Sequence, residues 1–215
     1  MKHIKLFEEY YYPPSFNMEE FKKLNSFNKR ILYCRQFLTR ISSGSSRIVY
    51  KIDDEMVLKL AKNTKGLLQN ETEYDLSNNL YVGSIVTKVY DIHPEYYWIE
   101  SELARKLTKS EFNKIIGLNF DDYCSVMSHH YHNSRPGINF CPRPDPKIVE
   151  QMWENEFSYN MLDFMNAYDM PVGDLIRLSS YGIVNRNGID EIVLIDYGLT
   201  DDILNKQYRK KQERY

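Results

Sequence analysis

The stretch IVLIDYGLT, residues 192–200, runs from four aliphatic residues straight into an acid, an aromatic ring and a glycine. Residues 192–195 read as a buried strand. Asp196 follows where that strand should leave the core, and Gly198 lets the chain turn. One reading is a strand end followed by a turn. The other is a strand that aims Asp196 at a cation or a phosphate. The rest of the chain has to decide between them.

Working outward, GIVNRNGIDEIVLID completes a β-hairpin over 182–196, with Asn187 and Gly188 in the turn. Upstream of it the chain is mainly helical, with patterns at 108–117, 121–130 and 146–167. The first half has a different character. LTRISSGSSRIVYKIDDEMVLKLA, 38–61, holds two β-rich runs, 47–52 and 56–61, around a polar turn of Asp53, Asp54 and Glu55. GLLQNETEYDLSNNL, 66–80, is a helix pattern, and 84–103 reads as two strands about a turn at His93 and Pro94. Residues 18–39 read as one helix, with Asn17 as N-cap and Glu20 three residues on. The charged tail 205–215 reads as a helical or frayed end. The organisation is α+β: an N-terminal extension 1–37, a strand-rich lobe 38–103, and a helical lobe 104–215 that carries the late hairpin.

Composition narrows the function classes. The chain has 215 residues, 42% hydrophobic and 27% charged, which suits one large domain or two small lobes. A net charge of −2 advertises neither nucleic acid nor membrane as a partner. No apolar run is long enough to span a bilayer, and MKHIKLFEEYYYPP lacks the apolar centre of a signal peptide. Cys34, Cys124 and Cys141 are odd in number and scattered, which points to a reducing compartment. Eighteen tyrosines, with alanine only at positions 61, 104 and 167, give the residue usage of an AT-rich genome.

Several residues carry chemistry. The small residues SSGSS, 42–46, let backbone N–H groups approach an anion. Lys59 lies within the apolar run VLKLA and needs either solvent at a sheet edge or an acidic partner. The helix pattern that follows supplies Glu71 and Glu73 on different faces. A separate cluster, Cys124, His129, His130, His132 and Cys141, has zinc-ligand residue types without the usual spacing, and reads better as an exposed histidine loop than as a metal site.

Loop, strand lysine, helix acid, helical second half and strand–Asp–aromatic–Gly together resemble the protein-kinase-like fold over about residues 38–203. The pieces VLKLAKNTKG with QNETE, and SYGIV with LIDYGLT, look most like small kinase-like proteins of tailed bacteriophages. The resemblance implies ATP and Mg²⁺ as cofactors. It makes SSGSS, with Gly44 and Ser45, the phosphate loop, and Lys59 the ligand of the α- and β-phosphates. Glu73, with Glu71 as the alternative, becomes the lysine's helix partner. Backbone around Ser101, Glu102 and Leu103 becomes the adenine hinge, and Asp196 the metal-binding acid of the D-F-G position with Tyr197 for Phe. The catalytic loop departs from the family pattern. In PVGDLIRLSSYGIV, Asp174 stands for the base, and Ser179, five residues on, takes the place of the metal-binding Asn, with Ser180 beside it. Two functions are implied: a phosphotransferase acting on a protein or small-molecule acceptor, or a non-catalytic kinase-like binding or scaffold protein. The protein would work in the cytoplasm of a bacterial host or with the virion, against a phage structural or host partner.

Overall fold

The computed structural model describes residues 12–135 and 141–200. The tail expected over 205–215 lies outside the described residues. The chain forms two compact units: residues 1–67 with 90–103, and residues 68–89 with 104–215. The α+β class expected from the sequence is what the structure shows, with a strand-rich first unit and a mainly helical second unit that carries the late hairpin.

In the first unit, strands β1 (Thr39–Ser43), β2 (Arg47–Lys51), β3 (Met56–Ala61), β4 (Val89–Ile92) and β5 (Trp98–Glu102) form one sheet in the order β1-β2-β3-β5-β4. The β2–β3 hairpin runs in antiparallel register from Arg47↔Ala61 to Lys51↔Val57. Its turn is set by Asp53, whose Oδ1 accepts the N–H groups of Glu55 and Met56, both at 2.7 Å. The single helix expected over 18–39 is two: α1 (Met18–Lys22), capped by Asn17, and α2 (Phe27–Phe37), capped by Ser26. Ser26 takes the Lys29 N–H at 3.3 Å and starts a new helix where the apolar pattern alone reads as continuous. Phe16, just before α1, and Phe21 and Cys34 of the two helices are buried with Tyr50, Leu58, Leu60 and Trp98 of the sheet.

Helix α3 (Thr64–Ser77) follows β3 directly. In the second unit, β6 (Arg105–Lys106), β7 (Tyr181–Arg186) and β8 (Ile189–Leu194) form a small antiparallel sheet. The β7–β8 turn holds Asn187 and Gly188, both at positive φ, as a two-residue hairpin requires. The helices are α4 (Lys109–Ile116), α5 (Phe120–Asn133), α6 (Pro146–Glu154), α7 (Glu156–Ala167) and the short α8 (Val172–Leu175). The helix expected over 146–167 breaks at Asn155. This residue ends α6, caps α7 by accepting the Ser158 N–H at 2.9 Å, and donates Nδ2 to the Ile116 carbonyl at 3.0 Å. The core of this unit is aromatic and methionine-rich. Tyr123 and Tyr181 are buried with hydroxyls 3.0 Å apart, and the Tyr181 hydroxyl donates to the Leu175 carbonyl at 2.6 Å. That bond ties β7 to α8, the helix that carries Asp174. No helix among the described residues is long and apolar enough to cross a membrane.

Candidate active site

Asp196 lies two residues beyond β8, and its neighbours on both sides are anchored. Ile195 donates its N–H to the Ser180 carbonyl at 2.8 Å. Tyr197 is fully buried. Its N–H donates to Glu73 Oε1 at 3.3 Å and its hydroxyl to the Thr87 carbonyl. Gly198 packs onto α3 so closely that a Cβ would lie 2.5 Å from the Gln69 carbonyl oxygen, which only glycine allows. The Asp196 side chain is exposed between these fixed points. Hydrogen bonds and a glycine contact thus hold the backbone on both sides of the acid that ends the opening stretch's strand.

Asp174, on α8, is half-buried and meets Arg177 Nη1 at 3.4 Å. Burial first, and then the charge of Asp196, pushes its carboxyl above the ordinary value, while Arg177 pulls it down. Asp196 is thus the carboxylate whose charge acts on Asp174 after burial. Ser179 is exposed on the 3-10 turn Leu178–Ser180, and Ser180 is buried with its carbonyl engaged by Ile195. Of the two acids offered by α3, Glu73 is fully buried and bonds the Asp196 segment, whereas Glu71 is half-exposed.

In the first unit, Lys59 sits on β3, the central strand, paired with Val49 and Ile99 and only 5% exposed. A place for Lys59 at a solvent-facing sheet edge is thereby excluded. Gly44 and Ser45 lie in the β1–β2 connection, with Gly44 donating its N–H to the Arg47 carbonyl at 3.0 Å. Ser101 and Glu102 end β5 and are buried. The Leu103 N–H donates to the Glu55 carbonyl at 2.7 Å, so this amide is already engaged within its own unit. The lysine strand β3, the acid-bearing helix α3 and the late hairpin β7–β8, two residues before Asp196, follow one another along the chain.

The histidines are not in a loop. His129, His130 and His132 lie on the last turns of α5 and are half-buried; His129 bonds Asn133 at 2.7 Å and His130 bonds Asn166 at 2.8 Å. Among the described residues, no group of three or more His, Cys, Asp or Glu side chains is placed to hold a metal ion. Sequence reasoning missed Arg177, Gln69 and Thr87. Of these only Arg177 had a local signal, its three-residue spacing from Asp174.

No protein-family model matches this chain, and no curated protein sequence matches it. Among solved structures, the chain is similar to the SAICAR synthase of Saccharomyces cerevisiae complexed with SAICAR, at 11% identity and TM-score 0.38, covering 77% of this chain and 74% of that one. It is similar to a mutant aminoglycoside 2′-phosphotransferase-IIIa in complex with GDP, at 14% identity and TM-score 0.39, covering 81% and 72%. A third likeness is to APH(2″)-IIa in ternary complex with streptomycin and ATP, at 13% identity and TM-score 0.34, covering 81% and 71%. Likeness of this degree says nothing about what the chain binds.

Proposed function

We propose that the chain is a kinase-like, nucleotide-dependent phosphotransferase in which Asp174 and Asp196 are the working acids. The observation that carries this reading is the anchoring of the Asp196 backbone on both sides, through Ile195, Tyr197 and Gly198, with Asp174 the acid on which its charge acts. Two acids whose charges repel suit a divalent cation. A pair of carboxylates with the remaining positions left to water and phosphate oxygens is how Mg²⁺ is usually held. Asp196 would be its ligand, with the exposed Ser179 hydroxyl as a weaker one. When bound, the ion would neutralise charge on the transferring phosphoryl group. Asp174 would accept the proton of the acceptor hydroxyl, and its raised pKa makes it a better base than an ordinary aspartate. Lys59 would be the phosphate ligand of the first unit, and the chain around Glu102 and Leu103 the adenine contact. The acceptor is a protein or a small molecule carrying a hydroxyl, and the phage resemblance favours action in a bacterial host or with the virion.

A second reading is supported by two observations: a serine at the position of the metal-binding Asn, and a Leu103 amide already engaged by Glu55. On it the chain binds without turnover. One experiment separates the two. ATP binding is followed by thermal shift with and without Mg²⁺, where ligand at a hundredfold its Kd adds about 2.7 kcal/mol. Turnover is then measured with labelled ATP beside Asp174→Asn and Asp196→Asn. Turnover abolished by both substitutions supports the enzyme; binding without turnover supports the second reading; no binding overturns both.

A further inference from the structure

The β1–β2 connection has one glycine, yet its carbonyls are bonded by a single neighbouring segment. The Gly44 carbonyl accepts from Lys62 Nζ at 2.7 Å, the Ser45 carbonyl from Asn63 Nδ2 at 3.2 Å, and the Ser46 carbonyl from the Lys62 N–H at 2.8 Å. The Asn63 side chain is itself oriented, because its Oδ1 accepts the Gly66 N–H at 3.2 Å, which leaves Nδ2 for Ser45. Gly66 closes the arrangement: a Cβ there would lie 2.4 Å from the Ser46 carbonyl oxygen and 3.0 Å from Ala61. Gly44 contributes no special geometry. It does not have a positive φ, and a Cβ on it would meet nothing within 4 Å.

We propose that Lys62 and Asn63 are positioning residues that clamp the 44–46 loop in one shape, so that a cross-chain clamp does here what glycine-rich backbone does elsewhere. In a trans peptide the C=O of one residue and the N–H of the next point in opposite directions. The Gly44 carbonyl, turned toward Lys62, therefore turns the Ser45 N–H away from the clamp. An amide fixed in this way suits an anionic oxygen without further ordering of the loop on binding. The ligand assignment, a nucleotide phosphate, rests on the function proposed above; the clamp itself does not.

The test uses the full chain. Backbone order parameters of Ser45 and Ser46 are measured by NMR in the wild type, Lys62→Met, Asn63→Ala, the double variant, Lys62→Arg and Gly44→Ala, with melting temperatures as a check on folding. Wild type, Lys62→Arg and Gly44→Ala should be rigid, near about 0.85, and the double variant should fall below about 0.6. Asn63→Ala changes no charge, so loosening there reports the loss of its two hydrogen bonds, to the Ser45 carbonyl and from the Gly66 N–H. An unchanged loop in the double variant, or loosening by Gly44→Ala as large as that by the clamp variants, overturns the proposal. ATP binding is read in parallel and should weaken about tenfold in the double variant. If the loop loosens but wild type binds no ATP, the clamp stands and the nucleotide reading falls. If wild type and double variant bind ATP equally well while the loop loosens, the positioning role is overturned.

Discussion

Asp174 is held above its ordinary carboxyl value by burial first and by the charge of Asp196 second. The sign of the linkage follows. A carboxyl whose folded pKa exceeds its unfolded one contributes stability that is complete below the unfolded value, about 3.9, and lost as pH rises through the folded value. At neutral pH Asp174 is therefore a net cost to folding. Asp174→Asn should raise the melting temperature at pH 7, and the gain over wild type should vanish as pH falls below that window. Carboxyl NMR titration adds an independent check. Asp196→Asn should lower the Asp174 pKa while leaving it above the ordinary value, because burial remains. An Asp174 titration unmoved by Asp196→Asn would mean that the two acids do not share a site.

The anchoring of Asp196 predicts a graded series around Glu73. Glu73→Gln keeps an acceptor for the Tyr197 N–H and should be mild. Glu73→Ala leaves that buried donor without its 3.3 Å partner and should cost roughly 1–3 kcal/mol. Gly198→Ala drives a methyl into the Gln69 carbonyl and should cost a similar amount, about 1–3 kcal/mol, by overpacking. Urea midpoints measure all three. If Gly198→Ala is neutral, the close packing of α3 on this segment is wrong.

Arg30 is a second position at which loss of a charge should stabilise. It is 3% exposed, with its guanidinium 3.8 Å over the Tyr97 ring, and burial lowers its pKa while Tyr97 offsets part of the effect. Its Nε and Nη1 have no hydrogen-bond partner among the described residues. A cation–π contact contributes about 0.5–2 kcal/mol, whereas each orphaned buried donor costs about 1–3 kcal/mol. Arg30→Met keeps the apolar stem and removes both donors, so it should raise the melting temperature by roughly 2–4 °C, the equivalent of about 1 kcal/mol. A fall of that size instead would show that the guanidinium is satisfied in solution.

How much of this could be read from residues alone depends on the range of the signal. Both hairpins were legible because their turns are local chemistry: Asp53 bonding two following amides, and Asn187 with Gly188 at positive φ. The buried strand before Asp196 was also visible in apolar spacing, whereas that spacing left Glu71 and Glu73 as alternatives. The helix breaks were not. Asn155 serves as the end of one helix and the cap of the next, so the apolar period runs through it uninterrupted. The histidines were read into the Pro- and Gly-bearing loop after them, although α5 continues through Asn133. Least legible were contacts across the chain. Gly66 and Gly198 look like ordinary helix and turn glycines until the Ser46 and Gln69 carbonyls are found against them.

The last prediction concerns turnover. Ser179 stands five residues after Asp174, where the kinase pattern has an Asn that binds a second metal ion. A hydroxyl is a weaker Mg²⁺ ligand than an amide carbonyl, so basal turnover should be slow. Because Ser179 is exposed on its 3-10 turn, a larger side chain meets no packed core there. Ser179→Asn should therefore fold as well as wild type and raise Mg²⁺-dependent turnover by about tenfold, the equivalent of about 1.4 kcal/mol of transition-state stabilisation. Ser180→Asn is the control: Ser180 is buried, so the substitution should destabilise without any gain in rate. Labelled ATP turnover with protein and small-molecule acceptors measures both. A rise in Ser179→Asn that disappears on adding Asp196→Asn places the two positions in one metal-dependent step. If ATP binds but Ser179→Asn brings no turnover from a silent background, the missing Asn is not what holds the chain back, and the non-catalytic reading gains.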